Sequence, residues 1–167
     1  MRSRKTKTMV VGIGSPNGDD QAGWRVIDLL SSRVTDVCEL RQAKVPHELI
    51  DWIDDVDVLH VVDANEASEN DSAVSRYHVV ADDHDVAWLN TQDGQVATMP
   101  RLRSNNSHQM DLRSVVQLAR QLEKLPDEIT VWTVPGREFG PSETVNAACQ
   151  AQIRRCADLI EQELADA

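Results

Sequence analysis

Cysteine is scarce in this chain: three in 167 residues, an odd number without paired spacing, which excludes a disulfide framework. Cys149 and Cys156 are seven apart, two helical turns, and read as core thiols on one face of a closing helix. Basic charge is also short. Lys plus Arg number 17 against 28 Asp plus Glu, a net charge of −11, which becomes −15 once Arg2, Arg4, Lys5 and Lys7 are set aside. Such a balance excludes a sequence-independent grip on nucleic acid. No run approaches the ~18 to 20 apolar residues of a membrane span. The basic N-terminus meets only Met9 to Ile13, too short for a signal peptide, so a cytoplasmic protein without membrane insertion is expected. Aromatic residues are few, and Trp24, Trp52, Trp88 and Trp132 stand singly, which favours packing over a binding cage. What remains is length enough for one core, burying roughly 70% of the unfolded surface without staples. The division expected is a disordered basic tail over residues 1–8 and a single domain over 9–167.

Along that domain, short apolar runs alternate with helical periods. Met9 to Ile13 reads as a buried strand entering the tight loop Gly14-Ser15-Pro16-Asn17-Gly18. Ala22, Val26, Leu29 and Leu30 then form one helical stripe, with Asp19 and Asp20 where caps belong. Val37 to Leu40 offers a second strand, and Pro46 opens a helical turn carrying Leu49, Ile50 and Ile53. Val58 to Val62 is apolar on both faces except at His60, as in a central parallel strand. Ala73 to Val80 reads as a fourth strand and Ile129 to Val134 as the last. Leu112, Val115, Val116, Ala119 and Leu122 mark one helix; Cys149, Ile153, Cys156, Ile160 and Leu164 mark another. Residues 81–107 show no sustained period and read as a mobile surface segment. The alternation predicts an α/β fold: one three-layer domain with a mostly parallel five-stranded sheet and helices on both faces.

In such sheets ligands sit beyond the carboxyl ends of the strands. Those places hold Asp19-Asp20, Asp63 and His108. Two carboxylates and an imidazole suit a divalent first-row metal; taken singly, each is equally a cap or a turn residue. Gly12, Gly14 and Gly18 sit between strand and helix, and Glu39 near the end of strand two could hold a ribose. The spacing is one residue off a dinucleotide fingerprint, and Asp19 and Asp20 would repel a pyrophosphate at that helix start. A phospho-receiver site fares worse: the acids come five residues beyond Gly14, and the last strand leads into Pro135-Gly136 without a lysine. His47-Glu48-Leu49-Ile50-Asp51 is half of a zinc-protease helix lacking its second histidine. His60 and His78 read as hydrogen-bonded strand residues, and His84 lies in the acidic stretch.

Three segments together resemble a known family. They are Val-Val-Gly-Ile-Gly-Ser-Pro-Asn-Gly-Asp-Asp-Gln-Ala-Gly at 10–23, Val-Val-Asp-Ala at 61–64, and Ser-His-Gln at 107–109 before an amphipathic helix. The family is that of the hydrogenase maturation endopeptidases, which trim the C-terminal extension of the nickel-iron hydrogenase large subunit. The resemblance spans Met9 to Leu164 and implies a metal site of Asp20, Asp63 and His108, the residues already selected by strand ends. It also implies that the nickel is supplied by the substrate, that no organic cofactor is used, and that the partner is the large subunit precursor. The chain reads as a divergent member. Gly14-Ser15 stands where Gly-Asn is usual, Gln21 where Gly is usual, and residues 40–46 replace an Asp-Gly-Gly-Thr segment. The alternative on the same fold is a metal-checking binding module or assembly chaperone that uses the triad without cleavage.

Overall fold

A computed structural model describes residues 4–68, 72–82, 85–92, 94, 96–97 and 111–167. Seven strands form one sheet in the order β2-β1-β3-β7-β4-β5-β6. They are β1 (Thr8–Ile13), β2 (Glu39–Ala43), β3 (Val58–Glu66), β4 (Ser75–Ala81), β5 (Val86–Asn90), β6 (Val96–Ala97) and β7 (Glu128–Gly136). The helices are α1 (Ala22–Leu30), α2 (Leu49–Trp52), α3 (Leu112–Gln121) and α4 (Ala147–Asp166). β2, β1, β3 and β7 run parallel; β4, β5 and β6 pair antiparallel with their neighbours.

The α/β class agrees with the sequence reading, but the count of five strands is corrected to seven. Both extra strands, β5 and β6, fall in the stretch 81–107 read as irregular. Val86 and Trp88 of β5 are each 2% exposed, so this part of the stretch belongs to the core rather than to a surface segment. The second strand also moves. It begins at Glu39 rather than Val37, and Val37 is left exposed.

Two apolar layers sandwich the sheet. On one face α3 contributes Leu112, Val115, Val116 and Ala119 against Val11, Ile13, Val61 and Val131. On the other, α1 and α4 pack Val26, Leu30, Ile153, Cys156 and Ile160 over Val10, Val62, Ala64 and Trp132. This burial on both faces is what makes β1, β3 and β7 read as near-continuous apolar runs. Cys149 and Cys156 are buried thiols in the second layer. Asp111 caps α3 by accepting from the Ser114 N–H, and Asn146 caps α4 by accepting from Ala148. No helix among the described residues is long and apolar enough to cross a membrane.

Close backbone approach ties α1 to the sheet. A Cβ on Gly12 would stand 2.1 Å from the Gly23 carbonyl oxygen, and one on Gly23 would stand 2.2 Å from that of Ile13. Only paired glycines let the helix lie this near β1, and that nearness brings the turn over residues 15–21 down onto the strand ends.

Candidate active site

The site is built where β1 stops and β3 continues. The β1–β3 ladder ends at Gly12 opposite Val62, whereas β3 runs on beside β7 to Glu66 opposite Gly136. Asp63 is therefore not the residue after the strand, as the sequence suggested, but the first residue of β3 beyond the β1 ladder. It is 2% exposed, and its carboxylate accepts the Ala64 N–H at 2.8 Å. Burial holds this carboxyl well above the usual range, and the nearby charge of Asp20 adds to the shift; the Ala64 hydrogen bond opposes both.

Asp20 lies in a 3-10 turn, Gly18–Gln21, that precedes α1. It is 3% exposed, and its carbonyl accepts the Ser15 N–H, closing the loop over Gly14. Gly14 in turn donates to the Ala43 carbonyl at the end of β2. Two buried acids thus converge at the carboxyl ends of β1 and β3, within electrostatic reach of each other. His108, with Ser107 and Gln109, lies outside the described residues.

Asp19 does something else. The expectation that Asp19 or Asp20 caps α1 is corrected: the residue before α1 is Gln21, with no side-chain cap. Asp19 is fully buried, and its carboxylate accepts three backbone N–H groups, Arg137 at 2.7 Å, Glu138 at 3.0 Å and Asn146 at 2.8 Å. It staples the turn after β1 to the connection between β7 and α4. Gly18 serves the same junction. Its φ of +50° is costly for other residues, and a Cβ there would meet the Glu138 carbonyl at 2.3 Å. Consecutive aspartates therefore divide the work: Asp19 holds the loop while Asp20 lies within electrostatic reach of Asp63.

The remaining sequence candidates are placed elsewhere. Glu39 is an edge-strand residue paired with Arg41 and Lys7. His47 is exposed, and Glu48 accepts the Lys44 and Val45 N–H groups at 2.6 and 3.1 Å, so the half zinc-protease motif is a turn brace. His60 is buried on the opposite face of the sheet from Asp63, where its Nδ1 accepts the Trp132 indole N–H at 3.1 Å. Burial lowers its pKa to about 4. His78 lies in β4, and His84 is outside the described residues. The sequence reading missed two neighbours of Asp63. Asn65 and Thr133 are 3% and 0% exposed, and Thr133 pairs with Asp63 in the β3–β7 register. Polar residues within strands buried on both faces were the available signal.

This is a mixed-sheet α/β fold whose acids gather at the carboxyl ends of its parallel strands, and it is similar to that of a set of solved peptidase structures. The hydrogenase maturating endopeptidase HybD from E. coli superposes with a TM-score of 0.71 at 17% identity, covering 96% of this chain and 93% of that one. The hydrogenase 2 maturation peptidase from a Thaumarchaeota archaeon gives 0.62 at 23% identity, covering 95% and 98%. The [NiFe] hydrogenase maturation protease HycI from Thermococcus kodakarensis KOD1 gives 0.61 at 22%, covering 98% and 95%. At these identities the likeness is one of fold. No protein-family profile matches the chain, and neither does any curated protein.

Proposed function

We propose that this chain is an endopeptidase that removes the C-terminal extension of a nickel-loaded nickel-iron hydrogenase large subunit, with the substrate's nickel recognised by Asp20, Asp63 and His108. The observation that carries the reading is the pair of buried carboxyls, Asp20 and Asp63, at the carboxyl ends of β1 and β3 in a fold shared with solved maturation endopeptidases. Burying Asp63 beside the charge of Asp20 is costly, and its pKa is raised accordingly. A divalent cation presented by the substrate relieves both the desolvation and the mutual repulsion. The imidazole of His108 supplies the nitrogen donor that a borderline metal such as nickel favours. The site thus senses whether the incoming subunit carries its metal, and cleavage follows loading. The proposed setting is the cytoplasm, with the large subunit precursor as partner and no organic cofactor.

The test is electrophoretic shortening of a tail-bearing large subunit, with and without nickel. Shortening is expected only for the nickel-loaded form. Asp20→Asn, Asp63→Asn and His108→Ala each abolish it in a folded protein, because asparagine keeps the size of aspartate without its charge and alanine deletes the imidazole. His47→Ala and Glu39→Gln, which lie outside the site, leave it unchanged. Binding of the loaded subunit without shortening would favour the non-cleaving metal-checking module.

A further inference from the structure

Three buried side-chain polar atoms among the described residues have no hydrogen-bond partner: Asn65 Oδ1, Thr133 Oγ1 and Trp88 Nε1. Two of the three belong to residues bordering Asp63. Asn65 is two residues further along β3 and so on the same face of the sheet, and Thr133 is its register partner on β7. Ser75 of β4 pairs with Thr133 in turn, so one row across three strands reads Asp63, Thr133, Ser75. This row lies on the α3 face, whose other members, Val61, Val131 and Tyr77, are apolar or aromatic core.

A buried hydroxyl without a partner is an expensive choice, and valine would fill the same space beside Ile129 and Val131, which precede it on the same face of β7. Asn65 repeats the pattern: its Nδ2 reaches the Glu66 carbonyl at 3.4 Å while Oδ1 is left unpaired. Two unpaired hydrogen-bonding atoms thus sit beside one carboxyl.

We propose that Thr133 is a positioning residue. Its hydroxyl, held level with Asp63 by the β3–β7 register and committed to no other group, donates to the Asp63 carboxylate and fixes its orientation when that carboxylate turns to the substrate's metal. The assignment rests on the function proposed above. It needs a group that donates, is fixed by the backbone and is otherwise unpaired, and Thr133 meets all three conditions. Supporting hydrogen bonds to a metal-binding carboxylate are worth about 10- to 100-fold in metal engagement.

The experiment compares Thr133→Val, Thr133→Ser and Asp63→Asn with the wild type, reading the thermal unfolding midpoint of the free protein and the kcat and KM for shortening the nickel-loaded, tail-bearing subunit. Thr133→Val is expected to unfold at the same or a higher temperature, since the orphan hydroxyl is gone, yet to lose roughly 10- to 100-fold in kcat/KM for the nickel-loaded subunit. Thr133→Ser, which keeps the hydroxyl, is expected to remain within a few-fold of wild type. A lowered midpoint in Thr133→Val with a matching loss in Thr133→Ser would mean a structural role and overturn the assignment. So would Thr133→Val cleaving at the wild-type rate while Asp63→Asn is inert, a result that leaves the parent reading standing. A wild-type protein that leaves the loaded subunit intact would instead remove the parent reading and this inference with it.

Discussion

Asp63 carries a carboxyl that the fold penalises. Its pKa is raised in the folded state by burial and by the charge of Asp20, so folding favours the protonated form. Stability from this group is fully present below the unfolded value near 3.8 and is lost as pH rises through the higher folded value. Asp63→Asn keeps an oxygen for the Ala64 N–H but removes the charge. It is expected to raise the unfolding midpoint at pH 7 by several degrees, on a scale where about 1 kcal/mol moves a domain of this size by roughly 2–4 °C. The gain disappears at pH 3; an equal gain at both pH values would refute the electrostatic cause. Asp19, one residue from Asp20, behaves in the opposite way. With three backbone N–H groups left unpaired, Asp19→Ala is expected to cost about 3 kcal/mol or more, measured by urea unfolding. Proximity in sequence does not reveal this division. The partners of Asp19 lie 118 to 127 residues away, whereas the candidacy of Asp20 and Asp63 follows from strand ends alone.

At the scale of elements, the segments read correctly are those whose burial is one-sided or complete. α1, α3 and α4 bury single faces, and β1, β3 and β7 are covered on both, so their apolar spacing survives in the sequence. β5 was hidden because only Val86 and Trp88 of its five residues point into the core and acids precede them. β2 was displaced because an edge strand tolerates Arg41 and Gln42 in its middle, exposed to solvent. The glycines, weighed as phosphate-binding signals, instead set distances between elements. Gly23→Ala would drive a methyl into the Ile13 and Val62 carbonyls at 2.2 and 2.8 Å, and is expected to cost at least about 3 kcal/mol because backbone cannot yield as a side chain does. Gly140→Ala, with nothing within 4 Å of its Cβ, serves as the control and should change stability by less than about 1 kcal/mol. Comparable urea midpoints for the two variants would contradict the close-approach account.

For the whole molecule, two buried titratable groups on opposite faces of the sheet pull its pH dependence in opposite directions. His60 sits against Trp132 with a folded pKa lowered to about 4, below the unfolded 6.5, so folding excludes its proton. The unfolded chain binds that proton first as pH falls, and stability drains away between pH 6.5 and about 4, at up to about 1.4 kcal/mol per unit or roughly 3 kcal/mol in all. Asp63 gains stability on the same descent, because its protonated form is the one the fold prefers. The two contributions offset each other, and the wild-type acid limb is expected to be shallow for a chain of net charge −11. His60→Gln retains an oxygen to accept the Trp132 indole N–H and removes the titration, so the variant should lose less stability than wild type, or gain it, between pH 6.5 and 4. Asp63→Asn removes the opposing contribution, and its acid limb should steepen. Urea midpoints for the three proteins at pH 6.5, 5 and 4 measure both slopes. Parallel shifts of all three curves would mean that neither buried group governs the acid limb, whereas divergence in the stated directions ties the pH profile to one histidine in the α1/α4 layer and one aspartate at the candidate active site.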